Sequence, residues 1–176
     1  MKTLRERLDD AIRLVPDFPK PGILFKDICP VFLDSQLCDD IAWSLVENLR
    51  DKVGTIDAIC AIESRGFFIG ILMANKLGVP LFPVRKKGKL PSSVRTYSYK
   101  LEYGESTLEI QTGIVQPGWN IMVHDDILAT GGTAIAAAEL IKMEGGNVCG
   151  FTFMDVLDGL DGIKHLGVYG KPIVTI

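Results

Sequence analysis

The 176-residue sequence is poor in the side chains that staple or metallate small proteins. It has two histidines and four cysteines, and Cys29, Cys38, Cys60 and Cys149 stand far apart with no C-x-x-C pair. That spacing argues against a structural zinc site and against a disulfide framework. No apolar run approaches the about 18–20 residues needed to cross a bilayer. Residues 1–14 interleave charged and apolar side chains, unlike a signal peptide. A basic excess is missing too. Nineteen Lys+Arg against 22 Asp+Glu leave a net charge of −3, which is not the footprint of a protein held on nucleic acid through phosphate neutralisation. Neither G-x-x-x-x-G-K-[ST] nor G-x-G-x-x-G occurs, so the two commonest nucleotide-binding fingerprints are excluded. These absences point to a reduced, cytoplasmic protein with no membrane and no nucleic-acid partner.

What is present is ordinary globular material, 47% hydrophobic and 23% charged, in a chain long enough to bury roughly 70% of its unfolded surface. One domain spanning 1–176 is expected. Leu4, Leu8, Ile12 and Val15 recur at helical spacing, predicting a short amphipathic helix over 4–15. Pro16, Pro19, Pro21 and Gly22 then force an irregular, extended segment. A second helix is predicted over 34–52, with Leu37, Ile41, Leu45 and Leu49 on one face.

Further on, short apolar runs at 57–62, 79–84, 120–124 and 148–156 alternate with helical stretches at 65–77 and 134–143. Such alternation predicts an α/β fold, a mainly parallel twisted sheet with helices on both faces. Ligands of such sheets bind where the strands' C-terminal ends gather. The alternation is interrupted by a polar, basic excursion over 85–117, read as a functional loop containing one antiparallel strand at 107–111.

The sharpest signal is Val123-His-Asp-Asp-Ile-Leu-Ala-Thr-Gly-Gly-Thr133. A pattern D-D-x-x-x-T-G-G-T arises by chance in such a chain with odds on the order of 10⁻⁵. An apolar strand would deliver Asp125 and Asp126 to the sheet edge, where two carboxylates can accept hydrogen bonds from two vicinal hydroxyls. Gly131 and Gly132 let backbone N–H groups converge on an anion, Thr130 and Thr133 add hydroxyls, and a helix begins at the same place with its positive end forward. A diol beside a phosphate describes a ribose 5-phosphate.

This segment resembles the phosphoribosyl pyrophosphate (PRPP) motif of the type I phosphoribosyltransferases. Asp17-Phe-Pro-Lys-Pro-Gly-Ile-Leu-Phe-Lys-Asp27, Glu63-Ser-Arg-Gly-Phe67, and Arg85-Lys-Lys-Gly-Lys-Leu-Pro91 with Tyr99-Lys-Leu-Glu-Tyr-Gly104 narrow the resemblance to the adenine-specific members of that family. The resemblance covers nearly the whole chain. It implies the type I fold with a small hood over the ligand edge (about 16–33 plus 155–176) and a flexible loop (about 86–106).

The resemblance also implies residue roles. Asp125 and Asp126 would hold the ribose diol, and Ala129, Thr130, Gly131, Gly132 and Thr133 the 5-phosphate. Ser64, Arg65, Arg85, Lys86 and Lys89 would meet the pyrophosphate, Lys89 from a partner subunit, while Lys87 stays solvated. Arg85 stands first among these because it follows a strand directly. Glu102 would be the general acid or base and Tyr103 would close the lid. Leu24, Phe25, main-chain groups near Lys26, and Leu157 would hold adenine. Mg²⁺ is implied through substrate oxygens and water with no direct protein ligand, and a homodimer is implied.

Ala129 bears on the choice of base. Phosphoribosyltransferases for hypoxanthine and guanine commonly carry Asp directly before the loop Thr, whereas a methyl group there exchanges no proton with the ring. A PRPP-sensing regulator is the rival reading from another class, and such proteins usually add a DNA-binding domain. His124 departs from the family's aliphatic residue and is read as a hydrogen-bonded core histidine, and His165 as a surface or turn residue.

Overall fold

The computed structural model describes residues 2–100 and 105–176, apart from the Lys100 side chain. Glu102 and Tyr103 therefore lie outside the described residues. Helix α1 (Leu4–Ala11) opens on a capping box between Thr3 and Glu6 and is shorter than the predicted 4–15. Its continuation instead forms β1 (Arg13–Pro16), which pairs antiparallel with β2 (Leu24–Asp27) in a two-stranded ribbon. Tertiary pairing overrides the helical spacing of Ile12 and Val15. A 3₁₀ turn (Cys29–Leu33) leads into α2 (Ser35–Arg50), capped by the Asp34 carboxylate on the Leu37 N–H.

There follow β3 (Ala58–Ile62), α3 (Gly66–Leu77), β4 (Leu81–Lys86), β5 (Val94–Lys100), β6 (Glu105–Gln111), β7 (Asn120–Leu128), α4 (Gly132–Met143), β8 (Asn147–Val156), α5 (Gly162–Gly167) and β9 (Ile173–Val174). The central sheet has the order β5-β6-β4-β3-β7-β8-β9, parallel from β4 to β9 and antiparallel at β6 and β5. Every residue of β3 is buried, because both sheet faces are covered. Ala58, Cys60 and Ile62 pack with α4, while Ile59 packs with α2 and α3. That two-sided burial is why the strands read as continuous apolar runs.

Three expectations need correction. The excursion holds two strands, not one, and 94–100 of the expected flexible loop is β5, paired along its whole length with β6. Its Ser and Thr residues masked the alternation. The last segment does not lie wholly in the hood, because β9 closes the sheet edge against β8. Finally, β7 does not stop at His124. It runs on through Asp125 and Asp126 to Leu128, paired with β8 as far as Val156.

Candidate active site

Chain direction creates the site. From β3 the chain crosses by α3 to β4 on one side, and from β7 by α4 to β8 on the other. Between β3 and β7 the winding reverses, and such a reversal opens a crevice at the strands' C-terminal ends. β3 pairs with β7 only as far as His124, so residues 125–128 overhang it. The start of α3 tucks beneath the overhang: a Cβ on Gly66 would meet Asp125 Cα at 3.1 Å and His124 O at 3.2 Å.

A cavity of about 450 Å³ occupies the crevice, with Ser64, Arg65, Asp125, Asp126, Ala129 and Thr133 along its floor. Lys86 and Tyr99 flank it, and Leu24, Phe25, Lys26 and Leu157 line its other wall. Segments far apart in sequence thus meet around one space. A small cavity of about 50 Å³ adjoins it, lined by Thr130, Gly131 and Thr133 among others.

At the floor, Arg65 Nε stands 2.5 Å from Asp126 Oδ2. This carboxylate oxygen is buried, and no donor among the described residues reaches it with hydrogen-bond geometry. Asp125 Oδ1 accepts the N–H of Asp126 at 2.9 Å. Burial, together with the negative charge of Asp126 alongside, pushes the Asp125 pKa well above the usual carboxylate range, and Arg65 only partly offsets this. The pair is therefore built to hold one proton or to meet hydroxyl donors.

The phosphate loop is built from backbone. Gly131 is left-handed, with φ +85°, and α4 starts at Gly132, so the unpaired N–H groups of its first turn border the loop. The Tyr99 hydroxyl lies 3.1 Å from Thr133 Oγ1. Support from behind was not foreseen from the sequence. A Cβ on Gly162 of α5 would fall 2.1 Å from the Ala129 carbonyl oxygen. His165 is exposed, as expected, yet its Nδ1 lies 2.8 Å from Thr130 O and so donates to the loop. Gly162 gave only a weak signal, a glycine in a turn-like stretch, and His165 gave none.

The cationic side differs from its expectation. Arg65 pairs with Asp126, whereas Glu63 holds Arg85 (Nε–Oε2 3.1 Å, Nη2–Oε1 3.4 Å) and accepts the Lys86 N–H at 3.0 Å. Burial would raise the Glu63 pKa, but these donors outweigh it and hold the carboxylate ionised. Arg85 lies within β4, and its guanidinium is spent on Glu63 and on the Lys89 carbonyl at 3.0 Å. It is Lys86, not Arg85 or Lys89, that reaches the cavity wall.

In the hood, the Lys26 ammonium donates to Asp155 Oδ2 at 2.6 Å, and Arg5 donates to Asp155 Oδ1 at 2.9 Å. Burial would raise the Asp155 pKa, yet the two cations hold it below the ordinary value. The β1/β2 ribbon is thereby tied to the end of β8, and the Lys26 ammonium is occupied by Asp155. Phe25 packs edge-on against Phe18, with centroids 5.1 Å apart. His124 is fully buried, with Nδ1 2.9 Å from Thr152 Oγ1, and desolvation lowers its pKa to about 4. It is a neutral core histidine, as the sequence indicated.

An open sheet with a carboxylate pair beside a backbone anion loop is suited to a ligand carrying hydroxyls and a phosphate, and comparison with known proteins gives the class. Residues 33–155 match the phosphoribosyl transferase domain family. An adenine phosphoribosyltransferase of Cytophaga hutchinsonii is 46% identical over 173 residues, covering 98% of this chain and 94% of that one. The crystal structure of adenine phosphoribosyltransferase from Thermoanaerobacter pseudethanolicus superposes with a TM-score of 0.91 at 43% identity, covering 98% of each chain. The Saccharomyces cerevisiae enzyme, solved with an imino-altritol bisphosphate and adenine, gives 0.88 at 38% identity, covering 98% of this chain and 97% of that one. The chain belongs to the phosphoribosyltransferase family and, within it, to the adenine phosphoribosyltransferases.

Proposed function

We propose that the protein transfers the 5-phosphoribosyl group of PRPP to N9 of adenine, giving AMP and pyrophosphate. One observation carries this reading: a single cavity juxtaposes Ala129 and Thr133 from the two ends of the phosphate loop, the Asp125–Asp126 pair, the cations Arg65 and Lys86, and the apolar wall of Phe25 and Leu157. In the reaction the bond from C1′ to the pyrophosphate oxygen breaks and the bond to N9 forms, and positive charge builds on the ribose between the two events. Thr130, Gly131, Gly132 and Thr133 anchor the 5-phosphate, with Ala129 presenting only a methyl group and a backbone to the site. Asp126 accepts from one ribose hydroxyl, and Asp125, holding its proton to higher pH, can donate to or accept from the other. The negative charge that the pair retains faces the developing cation.

Ser64, Arg65 and Lys86 receive the leaving pyrophosphate. Arg65 spends Nε on Asp126, which leaves the rest of its donor fork for phosphoryl oxygens. Arg85 acts on the pyrophosphate through the turn it holds. Lys89, outside its own chain's cavity wall, reaches a partner subunit's site. Leu24, Phe25 and Leu157 sandwich the purine, and the backbone near Lys26 reads its edge. Glu102 and Tyr103 keep the acid–base and lid roles implied by resemblance.

Mg²⁺ is expected to be brought in by the substrate. Among the described residues no three His, Cys, Asp or Glu side chains converge on a metal position, and Asp126 is already neutralised by Arg65. Such an ion would come with the substrate rather than be held by these side chains, and when bound it would neutralise charge on the leaving group. A homodimer is supported by the exposed apolar side chains Leu33, Phe68 and Ile71, of which Phe68 packs at a tilt on Phe32 with ring centroids 4.8 Å apart. A cytoplasmic location is the reading under which all four cysteines stay free thiols; no helix among the described residues is long and apolar enough to cross a membrane. The hood and sheet are proposed to act as one unit spanning 1–176.

The test is AMP formation from adenine and PRPP with Mg²⁺, followed by chromatography. Asp126→Asn, folded by circular dichroism, is expected to lose about a hundredfold in kcat/KM for PRPP. Undiminished activity in that variant would remove the carboxylate pair from the mechanism.

A further inference from the structure

The basic turn 86–90 is organised around a carboxylate that no reaction step uses. Glu109, on β6, is 2% exposed. Its Oε2 accepts the N–H of Gly88 at 3.0 Å, and its Oε1 accepts those of Lys89 at 2.8 Å and Leu90 at 2.7 Å. Successive N–H groups converging on one anion is how backbone nests bind phosphate. Here the protein fills such a nest with its own side chain. Arg85, its cross-strand partner in register, attracts this charge but forms its ion pair with Glu63, and the Glu109 carboxylate accepts its hydrogen bonds from the turn's backbone. Burial opposes that charge, but the three N–H donors, with the nearby charge of Arg85, prevail and keep Glu109 ionised.

The turn so held carries Lys86, Lys87 and Lys89, three cations in four residues, around a left-handed Gly88 with φ +82°. Like charges so close would repel one another and spread the segment. At its entry the turn is fixed by the Lys86 N–H on Glu63, and at its exit by Arg85 on the Lys89 carbonyl. Its middle is held by the three N–H groups on Glu109, with the Lys87 N–H on the Thr107 carbonyl at 3.1 Å and the turn's own Lys89 N–H on the Lys86 carbonyl at 3.3 Å beside them. Lys86 pairs in register with Leu108, the neighbour of Glu109, and both Lys86 and Leu108 line the cavity.

We propose that Glu109 is the positioning residue for pyrophosphate recognition: it shapes the basic turn and so sets where the lysine ammonium groups stand. This rests on the phosphoribosyltransferase reading of the cavity. The two roles open to a carboxylate here predict opposite signs. Acting only as a charge, Glu109 would weaken binding of an anion, and neutralising it would lower the KM for PRPP. Acting as the turn's template, its loss raises that KM.

The experiment compares wild type with Glu109→Gln, in which the –NH₂ group opposes the N–H donors, and with Gly88→Ala. The latter strains the same turn from its solvent side, where an added Cβ meets nothing within 4 Å, and leaves the core untouched. Glu109→Gln is expected to raise the KM for PRPP about tenfold with the KM for adenine within about twofold. Gly88→Ala should shift it the same way, by about threefold. Trypsin should cleave folded Glu109→Gln faster than wild type after Lys87 and Lys89, and this readout needs no activity.

An unchanged or lowered KM for PRPP in folded Glu109→Gln, or equal rises for both substrates, would overturn the proposal. Should Glu109→Gln fail to fold, an unchanged KM in Gly88→Ala would overturn it instead. Inactive wild type would refute the functional reading, and the trypsin comparison would still decide whether Glu109 shapes the turn.

Discussion

The two anion-binding regions of the cavity are built on opposite plans. The phosphate loop at 129–133 has no charged side chain and works through backbone, a left-handed Gly131 and the start of α4. The basic turn at 86–90 works through lysines, and its backbone is held by two carboxylates from elsewhere in the chain, Glu63 just after β3 and Glu109 on β6. A group that stays bound through the reaction is served by a rigid, neutral cradle. A group that must leave is better met by cations on a turn whose shape is set from outside. The first plan depends on close packing and the second on a buried ionic scaffold, so they should fail differently.

The packing plan should fail hardest. Gly162→Ala places a Cβ 2.1 Å from the Ala129 carbonyl. Overpacking of this kind should cost about 3 kcal/mol, or a melting temperature roughly 6–10 °C lower. Affinity for PRPP should fall in calorimetry together with stability, because the loop itself must move.

His124 lies behind both regions and should separate stability from binding. Its pKa of about 4 in the folded protein is below the ordinary 6.5. As pH drops from 6.5 toward 4 the unfolded chain therefore takes up a proton that the native state refuses, and up to about 3 kcal/mol is lost. His124→Leu should flatten that slope in urea titrations and leave the KM for PRPP unchanged. Asp27, Glu63, Glu109 and Asp155, with lowered pKa values, lose their contribution in a separate window, below about pH 4.5.

The scaffold plan should fail in affinity more than in stability. Glu63→Gln weakens the hold on Arg85 and on the Lys86 N–H, and the KM for PRPP should rise about fivefold. The smallest effect is expected of Tyr99→Phe, which removes one hydroxyl contact to Thr133 from a cradle otherwise made of backbone. About 0.5–1 kcal/mol of stability should be lost, read from thermal unfolding. An equal loss in Tyr99→Phe and Gly162→Ala would contradict the view that close packing shapes the loop.

The same contrast explains what could be read from the sequence. The phosphate loop is local: strand, Asp125-Asp126, Thr130-Gly-Gly-Thr133 and helix follow one another, so periodicity and residue type reveal it. The parallel strands are equally visible, because burial on both faces leaves unbroken apolar runs such as 58–62. The partners of the cations are not local. Arg65 reaches Asp126 and Arg85 reaches Glu63 across neighbouring strands, and register between strands does not follow from spacing along the chain. Glu109 sits in an alternating strand whose sequence gives no sign that it is buried. β5 was hidden for a related reason, since Ser and Thr on an edge strand blur the two-residue period. The role of Gly162 depends on α5 folding back onto a loop some thirty residues earlier.

The most direct measurement is pyrophosphate release from PRPP with Mg²⁺ across adenine, hypoxanthine, guanine and xanthine. Release with adenine alone is the predicted result, since Ala129 offers a 6-oxopurine no acidic partner. Release with hypoxanthine or guanine at a comparable rate would contradict it.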